Sequence, residues 1–160
     1  MAAVRIKSVI GSLVMAAAPE ILAWLQAHAD QAEPTLILAA RQGRIDILEH
    51  LLGQGAELSA VDRYGNNALW AACFSESSPC IKCLLDAGID IDYQNPSGAT
   101  VLIYAASSGK QRVVEQLLQA GANPNITTQD DFTALDLAAN RECLRLMKQA
   151  VTQYRSQQVE

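Results

Sequence analysis

Cys80 and Cys83 form the pair most suggestive of reactive chemistry in this chain, because two thiols three residues apart can bind a metal ion or form a redox disulfide. A structural zinc site needs four ligands, and only Cys73 is close enough in sequence to add a third. Cys80 also belongs to an apolar stripe, in which a thiol behaves as a small hydrophobic side chain. We therefore expect structural thiols, no metal site and no cofactor. Cys83 takes an outward position and is the candidate for a reactive thiol, although only Lys82 is nearby to lower its pKa.

Other signatures of catalysis are missing from the sequence. Neither His28 nor His50 stands beside a serine or cysteine nucleophile in a recognisable motif. The glycine-rich stretch 53–55 lacks the lysine and the preceding strand of a phosphate-binding loop. Carboxylates on predicted turns, such as Asp130 and Asp131, lack the twelve-residue spacing of a calcium loop. We expect no catalytic residues, and we predict that the chain is not an enzyme.

A 33-residue repeat dominates the rest of the sequence. The pattern Leu-Leu-x-x-Gly begins at residues 51, 84 and 117. A second marker keeps the same step and consists of a leucine followed three and four positions later by small residues; it occurs at Leu36, Leu69, Leu102 and Leu135. Two markers with one period indicate a tandem array of stacked units rather than a single globular core.

Each unit has the pattern of a short helix, a tight turn and a second helix with an apolar stripe. Asn67, Thr100 and Thr133 stand two residues before the leucine marker and are predicted N-caps. Asp136 would complete a capping box with Thr133. Ser78 is the predicted N-cap of the second helix of its unit, with Pro79 in the first turn.

Polar, turn-rich segments separate the units and are predicted to form projecting hairpins. Gly65 and Gly98 occupy the same place in successive units, as expected where the backbone requires a positive φ.

The predicted fold class is all-α, a solenoid of stacked helix-turn-helix units with projecting hairpin loops. Residues 1–33 are expected to form an atypical N-terminal helical cap, in which Pro19 begins a helix. Residues 34–151 hold four units, of which the last acts as a closing cap. The units are predicted at about 29–61, 62–94, 95–127 and 128–151. Residues 152–160 are predicted to be a frayed polar tail.

Three large aromatic residues are predicted to pack in the core. Trp70 and Tyr104 belong to the first helices of their units, at inward-leaning positions. Trp24 is expected to be buried between the N-terminal cap and the first unit.

Composition limits the class of partner. The formal net charge of −5 and the isoelectric point near 5.0 argue against nucleic-acid binding, which needs a dense Lys/Arg face. No apolar run approaches the ~20 residues of a membrane span. We expect a protein partner, and a chain that is monomeric on its own.

Cysteine content and the N-terminus bear on the cellular compartment. Four cysteines are too few for a disulfide scaffold of 160 residues, so reduced thiols in the cytoplasm are expected. Residues 1–18 imitate a signal peptide, with a basic start, an apolar run and small residues at 16–18. Gly11, Ser12 and Pro19 fit a signal peptide poorly, and export remains the alternative.

At this level of detail the chain resembles the ankyrin repeat family. Residues 62–69 and 95–102 follow the family pattern of Asp, two variable residues, Gly, one variable residue and Thr-Pro-Leu-His, and the Leu-Leu-x-x-Gly-Ala marker also belongs to that pattern. The resemblance covers Pro34 to about Val151 without an insertion. The family histidine is replaced in every unit, by Ile37, Trp70, Ile103 and Asp136. The hydrogen bonds between repeats that this histidine makes in the family are therefore not assumed here.

The resemblance implies a non-catalytic protein-binding module or adaptor. In the family, the partner lies against the hairpin tips and the exposed side of the first helices, which together form the concave face. The partner-binding residues implied here are Arg41, Gln42, Arg63, Tyr64, Asn66, Phe74, Ser75, Gln94, Ser97, Ser107, Ser108, Asp130, Phe132 and Arg141.

Tyr64, Phe74 and Phe132 stand out in that set, because only 5% of the chain is aromatic and binding hot spots are enriched in large aromatic residues and arginine. Our hypothesis is that Tyr64 and Phe74, flanked by Arg41 and Arg63, form the binding centre. Packing of Phe74 between neighbouring first helices is the open alternative.

A second function of a different class is a small chaperone-like or stress-protective factor. Such a factor, which could be exported, would shield an apolar segment of a client protein.

Overall fold

The structure, a computed structural model, describes residues 18–159 of the chain. This part contains eight α-helices and no β-strand. The helices are α1 (Pro19–Ala27), α2 (Thr35–Arg41), α3 (Ile45–Gly53), α4 (Ala68–Phe74), α5 (Ser78–Asp86), α6 (Val101–Ser107), α7 (Gln111–Gln119) and α8 (Arg141–Gln158). The pairs α2–α3, α4–α5 and α6–α7 begin 33 residues apart, so these helix pairs repeat with the period found in the sequence.

The helix pairs form two rows with the core between them. The first helices α2, α4 and α6 contact one another in succession, and α3 packs against α5 while α7 packs against α8. Leu69, Leu102, Leu84 and Leu117 are at most 1% exposed. Both leucine markers therefore mark the buried side of their helices.

Helix starts follow the predicted capping chemistry in the middle units. Asn67 accepts a hydrogen bond from the backbone amide of Trp70, and Thr100 accepts one from that of Ile103, each at 3.3 Å. The start of α5 differs by one residue from the prediction. Ser77, rather than Ser78, caps the helix by accepting from the amide of Cys80, with Pro79 in the first turn.

The last unit departs from the predicted helix pair. Its capping box forms, since the Asp136 carboxylate accepts from the Thr133 amide at 2.8 Å and the Asp136 amide donates to Thr133 Oγ1. Residues 134–137 nevertheless make only a turn. The amide of Ala139 donates to the carbonyl of Ala106 at 2.9 Å, instead of to the carbonyl of Leu135 as a helix would require.

The end of the chain also differs from the prediction. A frayed tail was expected over residues 152–160, whereas α8 continues as a helix to Gln158. Asn140 caps α8 by accepting from the Cys143 amide at 2.8 Å. The exposed residues of this segment are polar, as expected, but they continue the helix because no glycine or proline interrupts it.

At the other end, α1 begins with Pro19 in its first turn, as predicted. Trp24 is 7% exposed, which confirms its burial, and its indole N–H donates to Gln42 Oε1 at 2.7 Å. The His28 ring stacks on Trp24 with 4.2 Å between ring centroids. Most of the segment that imitates a signal peptide, residues 1–17, lies outside the described residues. Within residues 18–159, no helix has the length and apolar character needed to cross a membrane.

Candidate binding surface

Three hairpin turns of the same construction project between the helix pairs. They comprise residues 62–66, 95–99 and 128–132, which we call tips 1, 2 and 3 and together the tip row. The first residue of each turn donates its amide to the carbonyl of the last at 2.9, 3.0 and 2.9 Å. The Asp62 carboxylate in tip 1 and the Asn95 side chain in tip 2 accept further amide hydrogen bonds inside their own turn. The turns are thus closed by local hydrogen bonds.

Neighbouring tips are also bonded to each other. Tyr93 Oη donates to the carbonyl of Gly65 at 2.6 Å, and Asn95 Nδ2 donates to Asn66 Oδ1 at 3.1 Å. Gln129 bridges tips 2 and 3, because its amide donates to the Ser97 carbonyl at 3.0 Å and its side chain to the Pro96 carbonyl at 2.8 Å. A ligand that contacts the tip row would therefore meet a preorganised surface.

Glycine allows the close approach of the tips. Gly65 and Gly98 have φ near +78° and +80°, as predicted from their register. A Cβ atom on Gly65 would lie 2.5 Å from Pro96 Cδ, and one on Gly98 would lie 2.9 Å from the backbone nitrogen of Gln129. Asp131 occupies the corresponding left-handed position of tip 3, with φ of +62°.

Three aromatic side chains are exposed on and beside the tip row. Tyr64 is 59% exposed, Phe74 58% and Phe132 47%. Phe74 lies at the end of α4 and does not pack between first helices, so the alternative of a core position for this residue does not hold. Because about half or more of each residue is accessible to solvent, all three are free to contact a ligand.

Two guanidinium groups lie over these rings. Arg63 Cζ is 4.8 Å from the centroid of the Tyr64 ring, and Arg63 Nη2 donates to Tyr64 Oη at 2.6 Å. Arg41 Cζ is 5.9 Å from the centroid of the Phe74 ring. Both distances fall in the range of cation–π attraction. The structure therefore pairs Arg63 with Tyr64 and Arg41 with Phe74, and Arg41 also contacts Asp62, which precedes Arg63 in the chain.

The two arginines differ in their electrostatic environment. Arg41 pairs with Glu33 and, at 3.2 Å, with Asp62, so its charge is compensated by neighbouring carboxylates. Arg63 is exposed, and no carboxylate within residues 18–159 lies at ion-pair distance from it. Arg63 is consequently the cation of this centre that remains open to an anionic group.

Several predicted binding residues instead make internal hydrogen bonds. The Gln42 side chain accepts from Trp24, and Ser75 Oγ donates to the Ala40 carbonyl at 2.9 Å. Internal bonds of the same kind are made by the side chains of Asn66, Gln94, Ser97 and Ser107. These residues hold the surface together. The other predicted residues, Ser108, Asp130 and Arg141, are exposed.

Sequence reasoning missed a charged pair beside Phe74. Lys110 Nζ lies 3.3 Å from a Glu76 carboxylate oxygen and 3.5 Å from the Phe74 carbonyl oxygen. Glu76 has φ of +53°, in the register where the neighbouring units have Gly43 and Gly109. A charged residue at a glycine position of the repeat was the signal that could have identified it.

Trp70 and Tyr104 pack against the core, as predicted, but both remain half-buried. Their ring centroids are 5.3 Å apart at an interplanar angle of 32°. This pair connects α4 with α6, since each residue lies on one of these helices.

The cysteines show the properties of core side chains. Cys73, Cys80 and Cys143 are 0% exposed, and burial raises the pKa of Cys73 to about 12. The pKa of Cys83 is also raised, first by burial and then by the charge of Glu49, so the thiolate form is disfavoured. The described part of the chain contains no group of three or more histidine, cysteine or acidic side chains that could hold a metal ion.

Comparison with known proteins agrees with this architecture. A family model described as ankyrin repeats (3 copies) matches residues 13–95, 36–128 and 89–155. The human ankyrin repeat and SOCS box protein 3 is 35% identical over 113 residues, which are 69% of this chain and 22% of that protein. The mouse B-cell lymphoma 3 protein homolog is 31% identical over 121 residues, covering 73% of this chain and 25% of that protein.

A more distant relative is the bovine mitochondrial disaggregase, which is 26% identical over an alignment of 162 residues, covering 79% of this chain and 24% of that protein. The chain therefore spans about a fifth to a quarter of the length of these relatives. Ankyrin repeats are protein–protein interaction modules and are generally not catalytic. On the family match and the 33-residue helix pairs, the chain belongs to the ankyrin repeat family.

Proposed function

We propose that this chain binds a segment of a partner protein, without catalysis, through the tip row and the exposed side of its first helices. Tyr64 and Phe74 form the centre of the contact, with Arg63 over the Tyr64 ring and Arg41 over the Phe74 ring. The observation that supports the proposal is the pair of exposed aromatic rings, each under a guanidinium group, on a surface held by hydrogen bonds between units.

The energetic argument rests on exposed area and rigidity. A large ring that is more than half exposed can bury apolar surface when a partner covers it, and such anchors carry most of the energy of an interface. Because neighbouring tips are already bonded together, little conformational entropy is lost on binding. A small number of contacts is then sufficient for a specific complex.

A capture experiment tests the proposal. The chain is immobilised, exposed to lysate of the native host, and the retained proteins are compared between wild type and Phe74→Ala. We expect the specific partner to be lost or strongly depleted, because removal of a hot-spot ring costs about 2 kcal/mol, or roughly 30-fold in affinity. Val159→Ala is the matched control, since Val159 is 87% exposed at the far end of α8. A partner retained equally by all three proteins would contradict the proposed centre.

A chaperone-like role is the second candidate function, and the bovine mitochondrial disaggregase among the relatives is the observation that favours it. In that role the exposed rings would shield apolar segments of many clients. The test is suppression of aggregation of an unrelated heat-denatured protein by substoichiometric amounts of the chain. Suppression of aggregation by wild type that is lost in Tyr64→Ala would favour this role. An absence of suppression would contradict it and leave the single-partner proposal standing.

We extend the proposal to a reducing, cytoplasmic compartment, which the four free cysteines support. Microscopy of the tagged full-length protein in its host tests this extension. Accumulation of the protein outside the cytoplasm would contradict it.

A further inference from the structure

We infer that the partner segment is an extended peptide of defined charge polarity, with an acidic side chain at tip 1 and a basic side chain at tip 3. This inference rests on the proposed function and names the chemistry of its partner. The outer residues of the three tips carry different charges in otherwise equivalent turns. Tip 1 has Arg63, tip 2 has the uncharged Pro96 and Ser97, and tip 3 has Asp130 and Asp131.

Arg63, Asp130 and Asp131 are available to a ligand, whereas other charges of the same surface are already paired. Arg41 is paired with Glu33 and Asp62, and Lys110 with Glu76. Asp130 and Asp131 are exposed, and no cationic side chain among residues 18–159 pairs with them. The exposed Arg141 lies nine residues beyond the tip, at the start of α8. The tip row thus runs from an unpaired positive to an unpaired negative end.

The spacing of the charges sets the length of the peptide. Packed helices lie about 8–10 Å apart, so tips two units apart are separated by roughly 20 Å. An extended chain rises about 3.3 Å per residue, so about six residues connect the two ends. Tyr64 and Phe132 lie beside the two charged ends and mark an apolar contact at each. An extended peptide fits this narrow row, because alternate side chains point to the same face.

The chemistry of each end determines which charge of the peptide lies at which tip. The Arg63 guanidinium lies over the Tyr64 ring and donates one hydrogen bond to Tyr64 Oη, and its other N–H groups can donate to a carboxylate. A peptide in the opposite direction would place its acidic group against Asp130 and Asp131, where like charges repel. Attraction at one end and repulsion at the other therefore select one polarity.

Peptide selection on the full chain tests the inference. A phage library of random 12-residue peptides is selected against wild type and against Arg63→Glu, which makes both ends of the tip row acidic. For wild type we expect enriched peptides with one acidic and one basic residue about five to seven positions apart. Arg63→Glu is expected to enrich peptides with two basic residues at this spacing. Circular dichroism verifies that the variant is folded.

Affinities of one synthesised, enriched peptide complete the test. We expect Arg63→Glu to weaken binding about tenfold or more, and Arg155→Glu, on the exposed side of α8, to have little effect although it changes the net charge equally. If the enriched peptides no longer bind Phe74→Ala but bind Arg63→Glu as tightly as wild type, the charge polarity is overturned and the proposed function is retained. Peptides unaffected by both changes, or no enrichment at all, would contradict both.

Discussion

The second and the last units contain the same repeat markers but fold differently. Leu69 lies in α4 and is 1% exposed, whereas Leu135, in the same register, is half-buried in a four-residue turn. Helix α4 contacts α2 on one side and α6 on the other. In the last unit, the described residues provide a neighbour on one side only. A helix of seven residues is too short to be stable alone, so it depends on packing against its neighbours.

The hairpin turns show the same dependence on a neighbouring unit. Gly98 in tip 2 packs against Gln129 of tip 3, and a Cβ atom on Gly98 would lie too close to the backbone nitrogen of Gln129. Asp131 has the same left-handed conformation in tip 3, and within the described residues no further tip packs against it. Glycine is therefore required where a neighbour follows, while aspartate is tolerated at the end of the row.

The largest expected effect comes from the two leucines. Leu69→Ala should lower the free energy of unfolding by about 2–5 kcal/mol, because it leaves a cavity between packed helices. Leu135→Ala should cost roughly half of that or less, since its side chain is already partly in water. Urea denaturation of both variants measures the difference. Equal losses would show that the last turn is as well packed as the middle units.

A smaller effect is expected from exchanging the turn residues. Gly98→Asp should destabilise the protein by about 2 kcal/mol, because an L-residue in the left-handed region costs about 1–2 kcal/mol and its Cβ also meets Gln129. The reverse change, Asp131→Gly, should stay within about 0.5 kcal/mol of wild type. Thermal unfolding of both variants tests the pair. A Gly98→Asp protein as stable as wild type would contradict the close approach of the tips.

The smallest effect concerns the Thr133–Asp136 turn and depends on pH. Hydrogen bonds from the amide and then the hydroxyl of Thr133 hold the pKa of Asp136 below its ordinary value of 3.8. A lowered pKa means that the carboxylate is stabilised in the folded state. Its contribution is present above the unfolded pKa and is lost as the pH falls through the folded one. We therefore expect the turn to loosen under acid conditions.

An NMR titration of the Asp136 carboxyl carbon measures this directly, with an expected midpoint below 3.8. Thr133→Val removes the hydroxyl donor and should move the midpoint upward. The site-specific probe is needed because the pKa of Glu142, in the same unit, is also lowered, by its hydrogen bond with Arg145. A midpoint at or above 3.8 in the wild type would show that the capping box does not persist in solution.

Much of the architecture could be predicted from the sequence because its causes are local. The N-caps Asn67 and Thr100 act on amides three residues away. The left-handed glycines are specified by their place in a turn, and their place follows from the repeat. The exposure of Tyr64 and Phe132 likewise follows from positions between the helices. Each of these features depends on neighbours within a few residues, so the pattern alone is sufficient.

The candidate surface was predictable only in part. Its residues could be named from their register, but their internal hydrogen bonds could not. Gln42 is engaged by Trp24, and Ser75 by the carbonyl of Ala40, across 18 and 35 residues of sequence. The pairing of Lys110 with Glu76 also joins different units. A register identifies the side of the array on which a residue lies, and it does not identify which distant group that residue will contact.

By itself, the sequence determined the repeat period, the helix pairs of the first three units, the caps of α4 and α6 and the outward direction of Tyr64 and Phe132. These depend on helical periodicity and on short-range hydrogen bonds. Only the tertiary structure decided that residues 134–137 form a turn, that α8 continues to Gln158, and that Arg63 rather than Arg41 remains without a carboxylate partner among the described residues. The physical reason is that these outcomes depend on which neighbours are present, and segments far apart in the chain supply those neighbours.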